Sequence, residues 1–220
     1  MQIIPSAQAL GRLARNGRLN RAEFLISQEA ENSFALPWGL LNSTARLLLQ
    51  AAAGLNTDAM AESEVLLPVA EALGGQRCVE DALDECRDLH LIEGIGSLRI
   101  HQLLANFVAA QPAEPSSHGA SLDQLRRLQA AAMVVAAKAV NANPADPAGI
   151  DRFLSYPLVL ERWAIWSDSI TADGFEAIGM ALYELGRFSI ALSWFEKAQA
   201  EKGQGDRHGR VDHESLGTTL

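Results

Sequence analysis

The sequence predicts a mainly α protein, and three observations carry that prediction. Alanine and leucine dominate a 220-residue chain that is 48% hydrophobic and 20% charged, a balance suited to helices packed on helices. Apolar residues recur with the helical period, most clearly at Val79, Ala82, Leu83, Cys86 and Leu89. Phe175 to Ala198 interleaves small residues (Gly179, Gly186, Ala191, Ala198) with bulky ones (Phe175, Leu182, Phe188, Phe195), as two antiparallel helices around a short turn require. Strand signals are confined to one apolar stretch. The expected order is a helical pair, a three-helix module with a small β-hairpin wing, a helical spacer and a helical hairpin.

Local signals justify each element in turn. Ser6 caps a first helix through Arg15, which Asn16-Gly17 ends in a left-handed cap. Asn20 followed by Glu23 forms a capping box for a second helix, Arg21 to about Ala30. Asn32 to Gly39, containing Pro37, reads as a connector, so residues 1–39 make one helical segment. Leu41 to Ala53 is a helix stopped at Gly54, and Ser63 and Pro68 signal a helix ending near Gly74-Gly75. The striped helix Arg77 to Leu89 follows. LIEGIGSLRI then offers two short strands around a Gly-Ile-Gly-Ser turn, and a trailing helix runs from Gln102 to about Ala110. Three helices, a hairpin and a trailing helix make a winged-helix pattern over 40–111.

Residues 112–120, rich in proline, serine and small side chains, read as the linker. Ser121 caps a helix to about Asn141, NPADPAG breaks it, and Ile150 to Ser169 supplies more helix, so 121–171 form a helical spacer. Residues 172–220 carry the spacing of a tetratricopeptide repeat, one full unit and the start of a second. In it Gly179 and Ala191 admit close backbone approach, Gly186 suits the turn, and the aromatics fill the wedge. Gly203 to Arg210 is a polar, glycine-rich tail.

Charge narrows the partners. A formal net charge of −9 leaves no excess of cations to displace phosphate counterions, which disfavours nucleic acid and the membrane surface. Cys78 and Cys86, eight apart on one helix, cannot form a disulfide, and no CxxC pair suggests zinc. The first residues lack the apolar block of a signal peptide, and AAAMVVAAKAV is short and interrupted by Lys138. A cytoplasmic protein with free thiols is expected.

Candidate chemistry is sparse. Helix Arg77 to Leu89 exposes Glu80, Asp81, Asp84, Glu85 and Asp88 against Arg77 and Arg87, which would repel a phosphate backbone. The module is better suited to packing between domains. His101 stands where the second hairpin strand meets the next helix, a place where free N–H groups favour an anion and an imidazole can donate to a phosphate. Its plainer role is a half-buried histidine closing a strand-to-helix corner. No GxxxxGK[ST] run exists, and His90, His118, His208 and His213 are scattered, so neither a phosphate cradle nor a metal site is expected. No nucleophile elbow is present either. Trp163 and Trp166, three apart, suit core or interdomain packing. No catalysis is expected.

The order of helix pair, winged helix, spacer and tetratricopeptide unit resembles bacterial signal-transduction ATPases of the STAND class, with an NB-ARC-like core and a C-terminal repeat array. Ile100-His101-Gln102 looks like the family's Met-His-Asp motif, whose histidine contacts the β-phosphate of bound ADP; Gln102 replaces the aspartate. QIIPSAQALGRLARNGRLNRAEFL is similar to the family's first helical domain, with Pro5 at the proline of its Gly-Leu-Pro-Leu-Ala segment and Ile3 at the glycine. DRHGRVDHESLGTTL looks like the start of a further repeat of the kinesin-light-chain type, with Glu214 in place of a proline. The resemblance implies that the P-loop and Walker B region precede Met1, so the chain is expected to be a fragment.

It also implies a mechanism for the intact molecule. The repeats sense a trigger, the winged helix relays it, and exchange of ADP for ATP releases an effector, a two-state coupling through differential affinity. Here the expected role is a non-catalytic, protein-binding relay with no cofactor of its own. His101 would touch nucleotide only together with the missing core. Asp173, Glu176, Met180, Tyr183 and Glu184 take the family's groove-facing positions and would meet a protein or peptide; ordinary solvent exposure is their plainer reading. The rival readings are a stand-alone helical-repeat adaptor and a winged-helix transcription regulator whose DNA contacts come from the wing or a dimer.

Overall fold

A computed structural model describes residues 33–55, 60–94, 97–163 and 170–204. The helices expected before residue 33, the residues of the hairpin tip at 95–96, Trp166 and the tail beyond 204 lie outside the described residues. The described residues are mainly helical. The chain divides into two compact units, Met1–Leu125 and Arg126–Leu220, so the boundary falls inside a helix rather than in the expected linker 112–120.

The first unit begins with helix α1 (33–40), where the sequence suggested a connector. Phe34 and Trp38, one turn apart, bring their rings to 5.9 and 6.2 Å from Phe107, and this packing outweighs Pro37. Arg46 donates from Nε to the Trp38 carbonyl (3.1 Å) and from Nη2 to the Gly39 carbonyl (2.9 Å), groups that a helix end leaves open. Helix α2 (Ser43–Ala53) starts at Asn42, whose Oδ1 accepts from the Ala45 amide at 2.9 Å. Ala45, Leu47, Leu48, Leu49, Ala51 and Ala52 are all buried, so α2 is enclosed on every side. It runs through the middle of its unit.

A strand β1 (Met60–Ala61) leads into α3 (Glu62–Ala70), and α4 (Gln76–Asp88) packs on both α3 and α2. Of the stripe expected on α4, Val79, Ala82, Leu83 and Cys86 are buried, while Leu89 follows the helix as its C-cap and is half-buried. Helix α4 ends at His90, whose φ of 55° is left-handed, with the His90 amide on the Arg87 carbonyl (2.8 Å) and the Leu91 amide on the Cys86 carbonyl (2.9 Å). Helix α5 (Gln102–Ala109) also packs on α2.

The expected hairpin over 91–100 is a correction. Among the described residues its two arms share one bridge, Glu93 with Arg99, while β2 (Ser97–Leu98) pairs antiparallel with β1 instead. The reason is burial: consecutive Leu91 and Ile92 are both in the core, which breaks the alternation a half-buried strand needs.

The linker reading of 112–120 also needs correction, because this segment is a strap sewn to α2. Gln50, buried, donates to the Gln111 carbonyl (3.1 Å), Thr44 Oγ1 lies 2.8 Å from Ser117 Oγ, and Arg46 reaches Glu114 at 3.5 Å. Ser116 and Ala120 are themselves buried. Proline and serine here fit a tight, bonded turn as well as they fit a loose tether.

The second unit takes over within helix α6 (Leu122–Ala142). Helix α7 (Pro147–Leu154) starts inside the NPADPAG run that was expected only to break structure: Asp146 accepts from the amides of Ala148 (3.1 Å) and Gly149 (3.2 Å), and Pro147 fills the first turn. The helix expected from Ile150 to Ser169 therefore ends at Leu154, followed by a 3-10 turn at Leu160–Trp163. Two indoles hold the intervening loop. Trp163 Nε1 donates to the Pro157 carbonyl (2.7 Å) and Trp194 Nε1 to the Leu158 carbonyl (2.8 Å). Both tryptophans are buried, in accord with the packing role expected of Trp163.

Helices α8 (Ala172–Glu184) and α9 (Phe188–Gln204) form the predicted hairpin around Gly186, whose φ is 70°. Gly179 is the close-approach point: a Cβ there would meet the Phe195 ring at 2.8 Å. Phe175 and Leu182 are buried with Ala191 and Ala198, but Phe188 is a correction to the wedge, since it is 60% exposed.

Candidate functional site

The candidate residues fall in two places, one in each unit. In the second unit, Asp173, Glu176, Met180, Tyr183 and Glu184 are spaced by three, four, three and one along α8, which puts them on one face of the helix. That face is opposite the buried Phe175, Ile178 and Leu182. Asp173 and Glu184 are exposed, Met180 is 43% exposed and Tyr183 53%. Glu176 differs from the rest. Its Oε2 sits 2.5 Å from Nζ of Lys202, a lysine that is otherwise buried, so it ties α8 to α9. A buried ammonium needs such a partner, and Glu176 supplies it.

The row continues past the residues that the sequence singled out. Tyr183 meets the Phe188 ring edge-on at 5.2 Å, and Leu192, one turn further along α9, is 58% exposed. Sequence reasoning assigned Phe188 to the interior of the wedge and passed over Leu192. The signal was present in their four-residue spacing, because Ala191 and Trp194 define the buried face of α9 and leave 188 and 192 off it.

In the first unit, His101 caps α5. Its Nδ1 accepts from the Leu103 amide at 3.2 Å, which leaves the proton of the neutral ring on Nε2 as an outward donor. The residue is exposed rather than half-buried. The same bond uses one of the amides that an anion at this helix start would otherwise meet. His90 ends α4, and the ring of His118 covers Gly74.

The Cys86 thiol is held in its neutral form. Burial, with a smaller contribution from the neighbouring Glu85 carboxylate, pushes the Cys86 pKa up to about 12 against an opposing pull from Arg87, so the thiol stays protonated. Cys78 donates to the Gly74 carbonyl at 3.5 Å. Burial and the nearby Arg162 lower the Arg126 pKa to about 10, which still leaves a cation at neutral pH. Among the described residues, no group of three or more His, Cys, Asp and Glu could hold a metal ion. No helix among them is long and apolar enough to cross a membrane. No protein-family model matches the chain, and comparison with curated proteins and with solved structures returns no match.

Proposed function

We propose that this chain is the non-catalytic regulatory and protein-interaction part of a bacterial STAND-type signalling ATPase. In this reading the α8–α9 hairpin is a tetratricopeptide-type unit that engages a protein or peptide. The module built on α2, α3, α4 and α5 is of winged-helix type and relays the event to a nucleotide-binding core carried on other residues. His101 would face the β-phosphate of ADP once that core is present, donating from Nε2.

The observation that carries the reading is the hairpin itself: Gly179 seats the Phe195 ring while Met180 and Tyr183 remain uncovered on the same helix. A two-helix unit that leaves apolar side chains in water is suited to binding and has no arrangement of groups for chemistry. The sign of the charge on α4 favours this over DNA binding, because Glu80, Asp81, Asp84 and Asp88 are exposed there.

The test is the reading frame and genes adjoining this one. A P-loop in frame supports the ATPase relay, whereas an ordinary start site with no neighbouring NTPase gene favours the stand-alone adaptor and overturns the proposal. ATP turnover by the purified chain is expected to be undetectable, and measurable turnover would also overturn it. Retention on heparin that falls with salt would point instead to the transcription regulator.

A further inference from the structure

The geometry points to a more particular partner for the hairpin: a cationic amphipathic helix, seated along the row Met180, Tyr183, Phe188 and Leu192. This inference rests on the reading of α8–α9 as a protein-binding unit and adds the chemistry of what it binds.

The row is continuous. Met180 and Tyr183 are three apart on α8, Tyr183 and Phe188 are in ring contact at 5.2 Å, and Phe188 and Leu192 are four apart on α9. All four side chains are 43% exposed or more, within a stretch of thirteen residues. Exposed apolar residues scattered singly mean little, but a contiguous row of large ones marks a contact surface. Because α8 and α9 turn back on each other at Gly186, the four side chains form a patch across the end of the hairpin, a surface that the apolar face of a helix can cover.

Charge decides the partner's polar edges. The two lysines of α9 are already engaged, Lys202 with Glu176 and Lys197 with Glu201, both at 2.5 Å. Among the described residues, Asp173 and Glu184 on α8 and Glu196 on α9 are exposed and join no ion pair, while Arg187 at the turn is an exposed guanidinium. Glu184 lies one turn beyond Met180, and Glu196 one turn beyond Leu192, so carboxylates flank the row at both helices. Lysine or arginine beside the partner's apolar stripe meets them, and acidic residues there would be repelled. The whole chain, at −9, adds attraction of the same sign over longer range.

The experiment compares labelled peptides by fluorescence anisotropy on the full chain. One is an amphipathic Leu/Lys helix and the other its Leu/Glu counterpart of equal length. The expected result is binding of the first and not the second. The double variant Glu184→Lys/Glu196→Lys should weaken binding about tenfold, as should Leu192→Ser, since both positions are exposed and the fold does not depend on them. The control Asp81→Lys/Asp88→Lys, on helix α4, should leave affinity unchanged.

Equal weakening by that control would mean diffuse attraction and would overturn the inference. So would binding of the Leu/Glu peptide, or no binding of either. Two other occupants are tested at the same time. A concentration-dependent dimer that Leu192→Ser abolishes would assign the row to a second copy. Tighter peptide binding after truncation at Gln204 would assign it to residues 205–220 of the chain itself. Either outcome overturns the cationic partner. The relay reading is decided separately, by the adjoining reading frame, so the two can fail independently.

Discussion

Two ways of closing a core meet in this chain. The first unit surrounds α2, a helix buried along nearly its whole length, and ties it down with polar bonds from distant parts of the chain. Asn42 is held by Glu85 through its backbone amide (2.8 Å) and its side-chain amide, Thr44 by Ser117, and Gln50 by Gln111. The second unit has polar ties of its own, Glu176 to Lys202 and Asn141 Nδ2 to the Ala177 carbonyl (2.9 Å). What sets its core apart is the large aromatics Trp163, Trp194, Phe153 and Phe175 among alanines and aliphatics, and the two indole N–H groups also bond one loop. An aliphatic core takes its register in part from polar bonds. Large rings add a constraint of shape, because they fit in few orientations.

The largest expected effect tests that contrast directly. Trp194→Ala removes a fully buried ring and leaves the Leu158 carbonyl without its donor, and should cost about 3–5 kcal/mol. Hydrogen exchange, read by segment, should show protection falling over Ile178 to Leu182 while Leu47 to Ala52 keep theirs. If protection fell equally in both, the units would not be separately stabilised, and the contrast would not stand.

Alkaline pH should separate the units the other way. The Cys86 pKa is raised from 9.0 to about 12, chiefly by burial. The folded state therefore holds a proton that the unfolded chain releases, and the first unit loses stability as pH rises from 9 through 12. The slope is about 1.4 kcal/mol per pH unit while only the unfolded thiol ionises. Below pH 9 the thiol contributes no pH dependence. Urea unfolding followed at Trp38, the one tryptophan in residues 1–125, should show this decline, and Cys86→Ala should remove that part of it. An unchanged decline in Cys86→Ala would show that other groups cause it.

The hairpin gives a smaller effect. Gly179→Ala would gain about 1 kcal/mol of helix propensity but drives a methyl into the Phe195 ring at 2.8 Å. A net loss of about 1–2 kcal/mol is expected in the second unit. Adding Phe195→Leu should restore part of it, which a purely backbone effect would not allow.

These positions also mark where the sequence was legible. Gly179, Gly186, Ala191 and Ala198 announced the hairpin because close packing of two helices is a local matter, decided within thirty residues. The α4 stripe was legible for the same reason. The strap at 111–120 was not, since its partners Thr44, Arg46 and Gln50 lie more than sixty residues away. Nor was α1, whose aromatics depend on Phe107. At the candidate site, the family resemblance assigned Asp173, Met180, Tyr183 and Glu184 to groove-facing positions, and all four are exposed on one face of α8. Glu176 was not separable from them, because its partner Lys202 comes from the far end of α9. Phe188 was misjudged because its position in the pattern says it is bulky, not which way it faces.

The smallest effect lies at the end of α4 and concerns the backbone alone. His90 holds a φ of 55° to close the two bonds that end the helix, a conformation that costs a residue with a Cβ and costs glycine nothing. His90→Gly should therefore stabilise the first unit, while glycine's greater freedom in the unfolded chain offsets part of the gain. About 0.5 kcal/mol is expected, seen as a small rise in the urea midpoint with no change in slope. His90→Ala should show no such gain, because alanine keeps the Cβ. If both variants gained equally, the imidazole rather than the backbone would be the source of strain, and the end of α4 would belong with the polar ties of the first unit instead of its helix geometry.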